Sequence, residues 1–322
     1  MAISGILTSQ NHYNQRASGS WPTSVYVFVV AATQKTIFGY GISNAGIRYS
    51  MTNLVSNTGV VSTDTAGVGT VRSSLAAAGY GGDKAIFGYG NSGSRTSLTN
   101  LVSNTGVVAS DTAGVGTARS DLAAAGYGSS GQAIFGYGFS DAGIQSMTNL
   151  VSNTGVVGND VTGVGTARYL PAATGYGGDK AIFGYGYSND GAVSLTNKVS
   201  NTGVVASDTA GVGTARHSLA AAGYGSDKAL FGYGNNGGLY QSITNLVSNT
   251  GVVSTDTAGV GTARGTLAAA GYGGDKAIFG YGSTGTPVSL TNLVSNTGVV
   301  GNDVTGVGTV RSALAAAGFS LT

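Results

Sequence analysis

The stretch Ser74–Tyr89, SLAAAGYGGDKAIFGY, decides the fold. Its first part, Ser74–Tyr80, is a short apolar run with small side chains. Gly81-Gly82-Asp83-Lys84 follows, and Gly and Asp are the residues that tolerate the positive φ of a tight hairpin turn. Ala85–Tyr89 then reads as a second strand. After a loop of changing sequence come a third strand, expected at Ser97–Thr105, and an irregular fourth at Val107–Arg119, broken by Ala113-Gly114. Strands of this length between Gly-rich turns have ordinary β dimensions.

The same wording recurs along the chain. The Phe of IFGYG or LFGYG stands at Phe38, Phe87, Phe135, Phe183, Phe231 and Phe279, spaced by 49, 48, 48, 48 and 48 residues. SLTNLVSNTGVV, with small changes, starts at Ser50, Ser97, Ser146, Ser194, Ser242 and Ser289. One four-stranded sheet cannot cover both of its faces, whereas stacking against a neighbour on each side does. A period near 48 with four strands fits a β-propeller blade. The Ala-rich first strand suits the crowded centre of such a ring, and Ile86, Phe87, Leu98 and Leu101 are expected to fill the space between neighbouring blades.

Composition narrows the alternatives. Gly occupies 57 of 322 positions, charged residues are 9%, the net charge is +2, and all thirteen acidic residues are Asp. Such Gly content without Glu argues against a helical bundle. With three Pro and no Gly at every third position, collagen is excluded as well. No clustered Lys and Arg form a nucleic-acid stripe, so no nucleic-acid partner is expected. The longest apolar run, Val25–Ala32, has eight residues, whereas a membrane-crossing helix needs about 20. Apolar alternation is not sustained for the roughly ten residues per strand of a membrane barrel. Membrane insertion is therefore not expected. The N-terminus lacks the basic start and apolar core of a signal peptide. Cysteine is absent, which removes disulfides and thiolate metal sites.

The units resemble those of the Kelch family of propellers. The likeness rests on Arg72, the small-apolar first strand, FGYG at Phe87–Gly90 where Kelch units end their second strand in a Gly pair, and the return to Arg119. It spans Ser24–Phe319 and lacks the usual fourth-strand Trp, the only Trp being Trp21. The wording KAIFGYG, LTNLVSNTGVV and DTAGVGTAR is also similar to Kelch-like repeat proteins of tailed phages. That resemblance implies a virion tail or fibre context, with synthesis in the host cytoplasm and other virion proteins as partners. The expected class is thus all-β, a Kelch-like β-propeller over residues 24–322. Residues 1–23 form a separate N-terminal segment for docking, ring closure or both.

Six full units end near Thr309, and a further first strand, Ser312–Phe319, follows. The favoured arrangement is a composite seventh blade with this strand inside and N-terminal residues outside. Six blades with a surplus strand are the alternative. The first unit's own opening strand is read at Val25–Ala31.

Two sets of candidate residues stand out. An Asp and an Arg eight residues later recur as Asp64/Arg72, Asp111/Arg119, Asp160/Arg168, Asp208/Arg216, Asp256/Arg264 and Asp303/Arg311. Six copies fit a structural role better than a catalytic one. Each Asp is expected to cap a turn or to pair with an Arg of its own or the neighbouring unit. The second set lies in the loops between second and third strands, where the repetition lapses: Arg48 and Tyr49; Asn91 and Arg95; Phe139, Asp141 and Gln145; Tyr187, Asn189 and Asp190; Asn235, Asn236, Tyr240 and Gln241. Equivalent loops of a propeller gather on one face. Aromatic platforms beside amides suit a glycan or a protein surface, although unconstrained surface loops also drift freely.

No catalytic constellation accompanies them. His12 and His217 are the only histidines, and GxSxG, HExxH and Walker patterns are missing. FSDAG around Asp141 and YSNDG around Asp190 lack the ligand spacing of a calcium loop. The expectation is a non-enzymatic protein with no cofactor and no metal. It would be a phage tail-fibre, baseplate or host-adhesion component binding a host-surface glycan or protein. The alternative is a structural virion assembly or decoration module, with Met1–Ser20 as its docking arm.

Overall fold

The computed structural model describes residues 34–319, all within the compact unit Ala32–Thr322. It is all-β, and among the described residues six three-stranded antiparallel sheets repeat. In the second unit the strands are Ala76–Tyr80, Lys84–Gly88 and Thr99–Val102. Ala76 faces Gly88 and Tyr80 faces Lys84 in the first pairing, and Ala85 faces Val102 in the second. The expected fourth strand does not form a ladder. It touches the third only through single bridges such as Thr99–Thr112 and Val102–Val108. The physical reason lies in Ala113-Gly114 and the further glycines of this segment, which interrupt extended pairing.

The C-terminal strand Ala315–Phe319 pairs with Lys35–Gly39, Phe319 opposite Lys35 and Ala315 opposite Gly39. Lys35–Gly39 pairs in turn with Thr52–Val55. Among the described residues, the surplus strand therefore completes the sheet of the first unit and forms no separate sheet. It takes the edge at which the sequence places Val25–Ala31. That stretch, and the rest of residues 1–33, lie outside the described residues.

Neighbouring sheets pack face to face through six apolar clusters. Ile86 and Tyr89 of the second unit meet Leu122, Phe135 and Val151 of the third. Phe38 and Val55 of the first meet Ile278 and Tyr281 of the sixth. Each Phe ring enters a gap that the preceding sheet leaves open. A Cβ on Gly136 would stand 2.8 Å from Phe183 Cζ, so only glycine lets that ring in. A fully buried Phe contributes about 1.5–3 kcal/mol, and each also meets the preceding unit's Tyr at close aromatic range. The centroids of Tyr137 and Phe183 are 5.1 Å apart, and those of Tyr281 and Phe38 5.2 Å.

The first strands approach one another closely. A Cβ on Gly126 would stand 3.1 Å from the Gly79 carbonyl oxygen, which explains the small residues here. First-strand residues of all six sheets line one cavity of about 580 Å³. At one end of these strands, six residues with left-handed backbones are linked by hydrogen bonds. Ser74 N–H donates to Ala313, Asp121 to Ser74, Leu170 to Asp121, Ser218 to Leu170, Thr266 to Ser218 and Ala313 to Thr266, at 2.7–3.1 Å. Their φ values are 49–57°. The series of bonds returns to the residue where it began.

Candidate functional site

Each second strand ends at a Tyr with positive φ, 61–66° at Tyr40, Tyr89, Tyr137, Tyr185, Tyr233 and Tyr281. That region is costly for a bulky residue, and the surroundings hold it there. The Tyr185 hydroxyl donates to the Val212 carbonyl at 3.0 Å. Its ring lies under the Arg216 guanidinium, 4.4 Å from the centroid. Burial, only partly offset by that cation, pushes the Tyr185 hydroxyl up to about 12. The strand is thereby stopped at a fixed point, and the variable loop leaves from it.

The recurrent Asp and Arg meet between units. Arg119 Nη1 lies 3.4 Å from Asp160 Oδ1, Arg72 lies 3.5 Å from Asp111, and Arg311 of the last unit lies 3.7 Å from Asp64 of the first. Arg168–Asp208, Arg216–Asp256 and Arg264–Asp303 follow the same rule at 3.9–4.0 Å. The partner left open by the sequence is thus the following unit's Asp. Every one of these Arg side chains is fully buried, while the Asp side chains keep 26–31% of their exposure. Arg119 also donates to Asn149 Oδ1 at 2.6 Å. Burial draws the Arg119 guanidinium below its ordinary value, and Tyr89 and Asp160 oppose this. Asp160 is held below its ordinary carboxylate value. Burial pulls it upward, but hydrogen bonds from Thr117 and Asn149, with the charge of Arg119, together outweigh that. Nε of Arg216, Arg264 and Arg311 also donates to the carbonyl of a neighbouring Tyr at 2.7–2.9 Å, whereas Nε of Arg72, Arg119 and Arg168 is buried without a hydrogen-bond partner.

The variable loops begin beyond the Tyr. Each is bridged to the residue that leads into its own unit's first strand: Ile42 to Ser312, Asn91 to Ser73, Phe139 to Ser120, Tyr187 to Tyr169, Asn235 to His217 and Ser283 to Gly265. Three loops form small hairpins, with Phe139–Ser140 on Gly143–Ile144, Tyr187–Ser188 on Gly191–Ala192, and Asn235–Asn236 on Leu239–Tyr240.

Successive loops touch. Arg48 donates to Asn91 at 3.1 Å. Arg95 pairs with Asp141 at 2.6 Å and its guanidinium lies 4.6 Å from the Phe139 centroid. Ring contacts then run from Phe139 to Tyr169 at 5.7 Å, from Tyr169 to Tyr187 at 5.6 Å, and from Tyr187 to His217 at 5.1 Å. All four rings are half-buried. Burial lowers the proton affinity of His217 and raises the Tyr169 hydroxyl, so both rings are uncharged at neutral pH. Gln145 turns back on its own hairpin, Nε2 donating to Ser140 Oγ at 2.8 Å, and Gln241 donates to the Leu239 carbonyl at 3.4 Å. Asn235 Oδ1 accepts from Gly238 N–H at 2.9 Å. Asn189 and Asp190 sit exposed at a hairpin tip, and Asn236 pairs with Leu239 in the next. Among the described residues, Tyr49 and Tyr240 stand outside the ring series. Tyr49 is bridged to Arg72, and Tyr240 lies against Gly265.

Tyr169 and His217 are the members that sequence reasoning missed. They belong to the lead-in segment, which otherwise carries Ser or Gly. The visible signal was the replacement of small by aromatic residues at one repeat position in two adjacent units. No group of three or more metal-ligating side chains occurs among the described residues. Compared with known proteins, the chain matches no protein-family model, and no curated protein is similar enough to count as a relative.

Proposed function

We propose that this chain is a closed Kelch-like β-propeller of six blades and acts as a non-enzymatic component of a tailed-phage virion, in a tail fibre, baseplate or host-adhesion part. It presents its variable loops to a host-surface glycan or protein, with other virion proteins as its assembly partners. Closure is supported by the returning series of hydrogen bonds from Ser74 to Ala313 and by the Arg311–Asp64 joint. The observation that carries the binding role is the contrast between a nearly verbatim frame and diversity concentrated in one loop class and the lead-in residues bridged to it, joined by contacts from Arg48 through to His217.

Grafting tests it. Replacing loops Phe139–Gln145 and Tyr187–Val193 by the NSGSRT loop of Asn91–Thr96 is expected to abolish binding to host cells while thermal unfolding stays cooperative. Unchanged binding would remove this face as the recognition site and favour the assembly role. That second reading has its own support in six valines, Val60, Val107, Val156, Val204, Val252 and Val299, left 62–66% exposed on equivalent turns.

A further inference from the structure

We infer that the ligand seat is the arc from Arg95 through Phe139, Tyr169 and Tyr187 to His217, and that it takes an uncharged oligosaccharide. This rests on the loop-face reading above and narrows it to one ligand class and one part of the face.

The repetition breaks at two paired positions. The loop position that bridges to the lead-in residue holds Ile42, Asn91, Phe139, Tyr187, Asn235 and Ser283. The lead-in position holds Ser312, Ser73, Ser120, Tyr169, His217 and Gly265. All six pairs make the same backbone bridge. The frame therefore forms equally well with Asn, Ser or Gly at these places, and the rings of Phe139, Tyr169, Tyr187 and His217 are not required by the fold. They nevertheless fall in adjacent units and meet at tilted to edge-to-face angles of 54–83°. None is fully buried, so each keeps part of its surface open to a ligand.

The chemistry beside them selects the ligand. Arg95 is matched by Asp141, and the imidazole of His217 is neutral because burial disfavours its charge. The arc thus offers no excess positive charge for a phosphate backbone. It offers ring surface for apolar C–H faces, together with the Gln145 and Asn235 amides and the two Tyr hydroxyls as neutral hydrogen-bonding groups. A sugar ring carries that same combination of apolar faces and uncharged hydroxyls. A protein partner would call for deeply desolvated anchoring pockets, whereas these rings form a shallow, half-exposed row.

The test uses the full chain against an immobilised panel of neutral oligosaccharides, glucose-, galactose- and N-acetylglucosamine-based, with sialylated and phosphorylated glycans alongside. The variant Phe139→Asn/Tyr169→Ser/Tyr187→Asn/His217→Ser puts at each site a residue type that another unit already carries there. Its thermal unfolding is expected to remain cooperative. The natural chain is expected to bind at least one neutral oligosaccharide. Each single replacement should weaken binding roughly two- to tenfold, and the fourfold variant should show none. Val107→Ser and Val252→Ser, on exposed turns outside the variable loops, should leave binding within about twofold. Neutral-glycan binding that survives the fourfold variant would overturn the inference, as would capture of charged glycans alone. No glycan binding, together with host-cell binding lost in the loop graft, would overturn the sugar assignment while leaving the loop-face reading standing. Host-cell binding that survives the graft would overturn both.

Discussion

A chain stopped after Arg311 is expected to lose cooperative folding. Residues Ser312–Phe319 supply a whole strand register to Lys35–Gly39 and two of the hydrogen bonds in the returning series, from Ala313 to Thr266 and from Ser74 to Ala313. They also bury Phe319 and Leu314, which are only 1% and 5% exposed. Removing a buried Phe costs about 3–5 kcal/mol and a buried Leu about 2–5 kcal/mol, against a total stability of about 5–15 kcal/mol for an ordinary domain. The unpaired edge of Lys35–Gly39 adds to the loss. The comparison with an open array is sharp, because in such an array a terminal strand contributes only to its own neighbour and the remaining units keep their stability. Urea unfolding followed by circular dichroism should show the truncated chain without a sigmoidal transition. A midpoint equal to that of the full chain would contradict closure.

Arg119→Ala is expected to destabilise the protein by about 1.5–3 kcal/mol, the range for hydrogen bonds to a charged group, because the lost guanidinium is fully buried while Asp160 keeps 30% exposure and its other partners. Arg119 is fully buried, donates to Asn149 and Asp160, and lies 4.8 Å from the Tyr89 centroid. Its removal strands the Asn149 carbonyl oxygen inside the joint between two sheets. Arg119→Lys should recover only part of the loss, because an ammonium cannot reproduce the planar fork and the stacking of a guanidinium. Disrupting the Arg95–Asp141 pair, whose Asp side chain is 89% exposed, should change stability by less than about 1 kcal/mol. Equilibrium urea unfolding of the three variants checks this. A loss below about 1 kcal/mol for Arg119→Ala would show that the joint Arg adds little to the fold.

The repeat, its first hairpin and the small residues of its first strand were legible in the sequence because each has a local cause. Gly81-Gly82-Asp83-Lys84 can do little but turn, and Gly126 is small because a carbonyl oxygen lies beside it. The fourth strand was misread because Val107 and Val108 have strand propensity, whereas ladder formation depends on the glycines that follow. The destination of Ser312–Phe319 was not legible either. A strand's sequence fixes its faces but not its partner, and Val25–Ala31 offered a competing claim to the same edge. The Asp–Arg spacing of eight residues exposed the pair but not its connectivity across neighbouring units. In the loops, the variable segment was visible as lapsed repetition. The row of rings was not, because half of it comes from lead-in residues some twenty positions upstream in sequence, joined to the loops only by backbone bridges.

The most direct test of the ring uses the absence of native cysteine. Ile42 and Ser312, 270 positions apart, exchange both backbone hydrogen bonds, at 2.9 and 3.0 Å. Such a pair has Cα atoms about 5.5 Å apart, within disulfide range. The Ile42→Cys/Ser312→Cys chain should oxidise to an intramolecular disulfide, seen as faster migration on a non-reducing gel. Ser73→Cys/Asn91→Cys, which joins the same two positions inside one unit, serves as the control and should cross-link to the same extent. A control that cross-links while the 42–312 pair stays reduced would mean that the first and last units never meet, and the ring would be wrong.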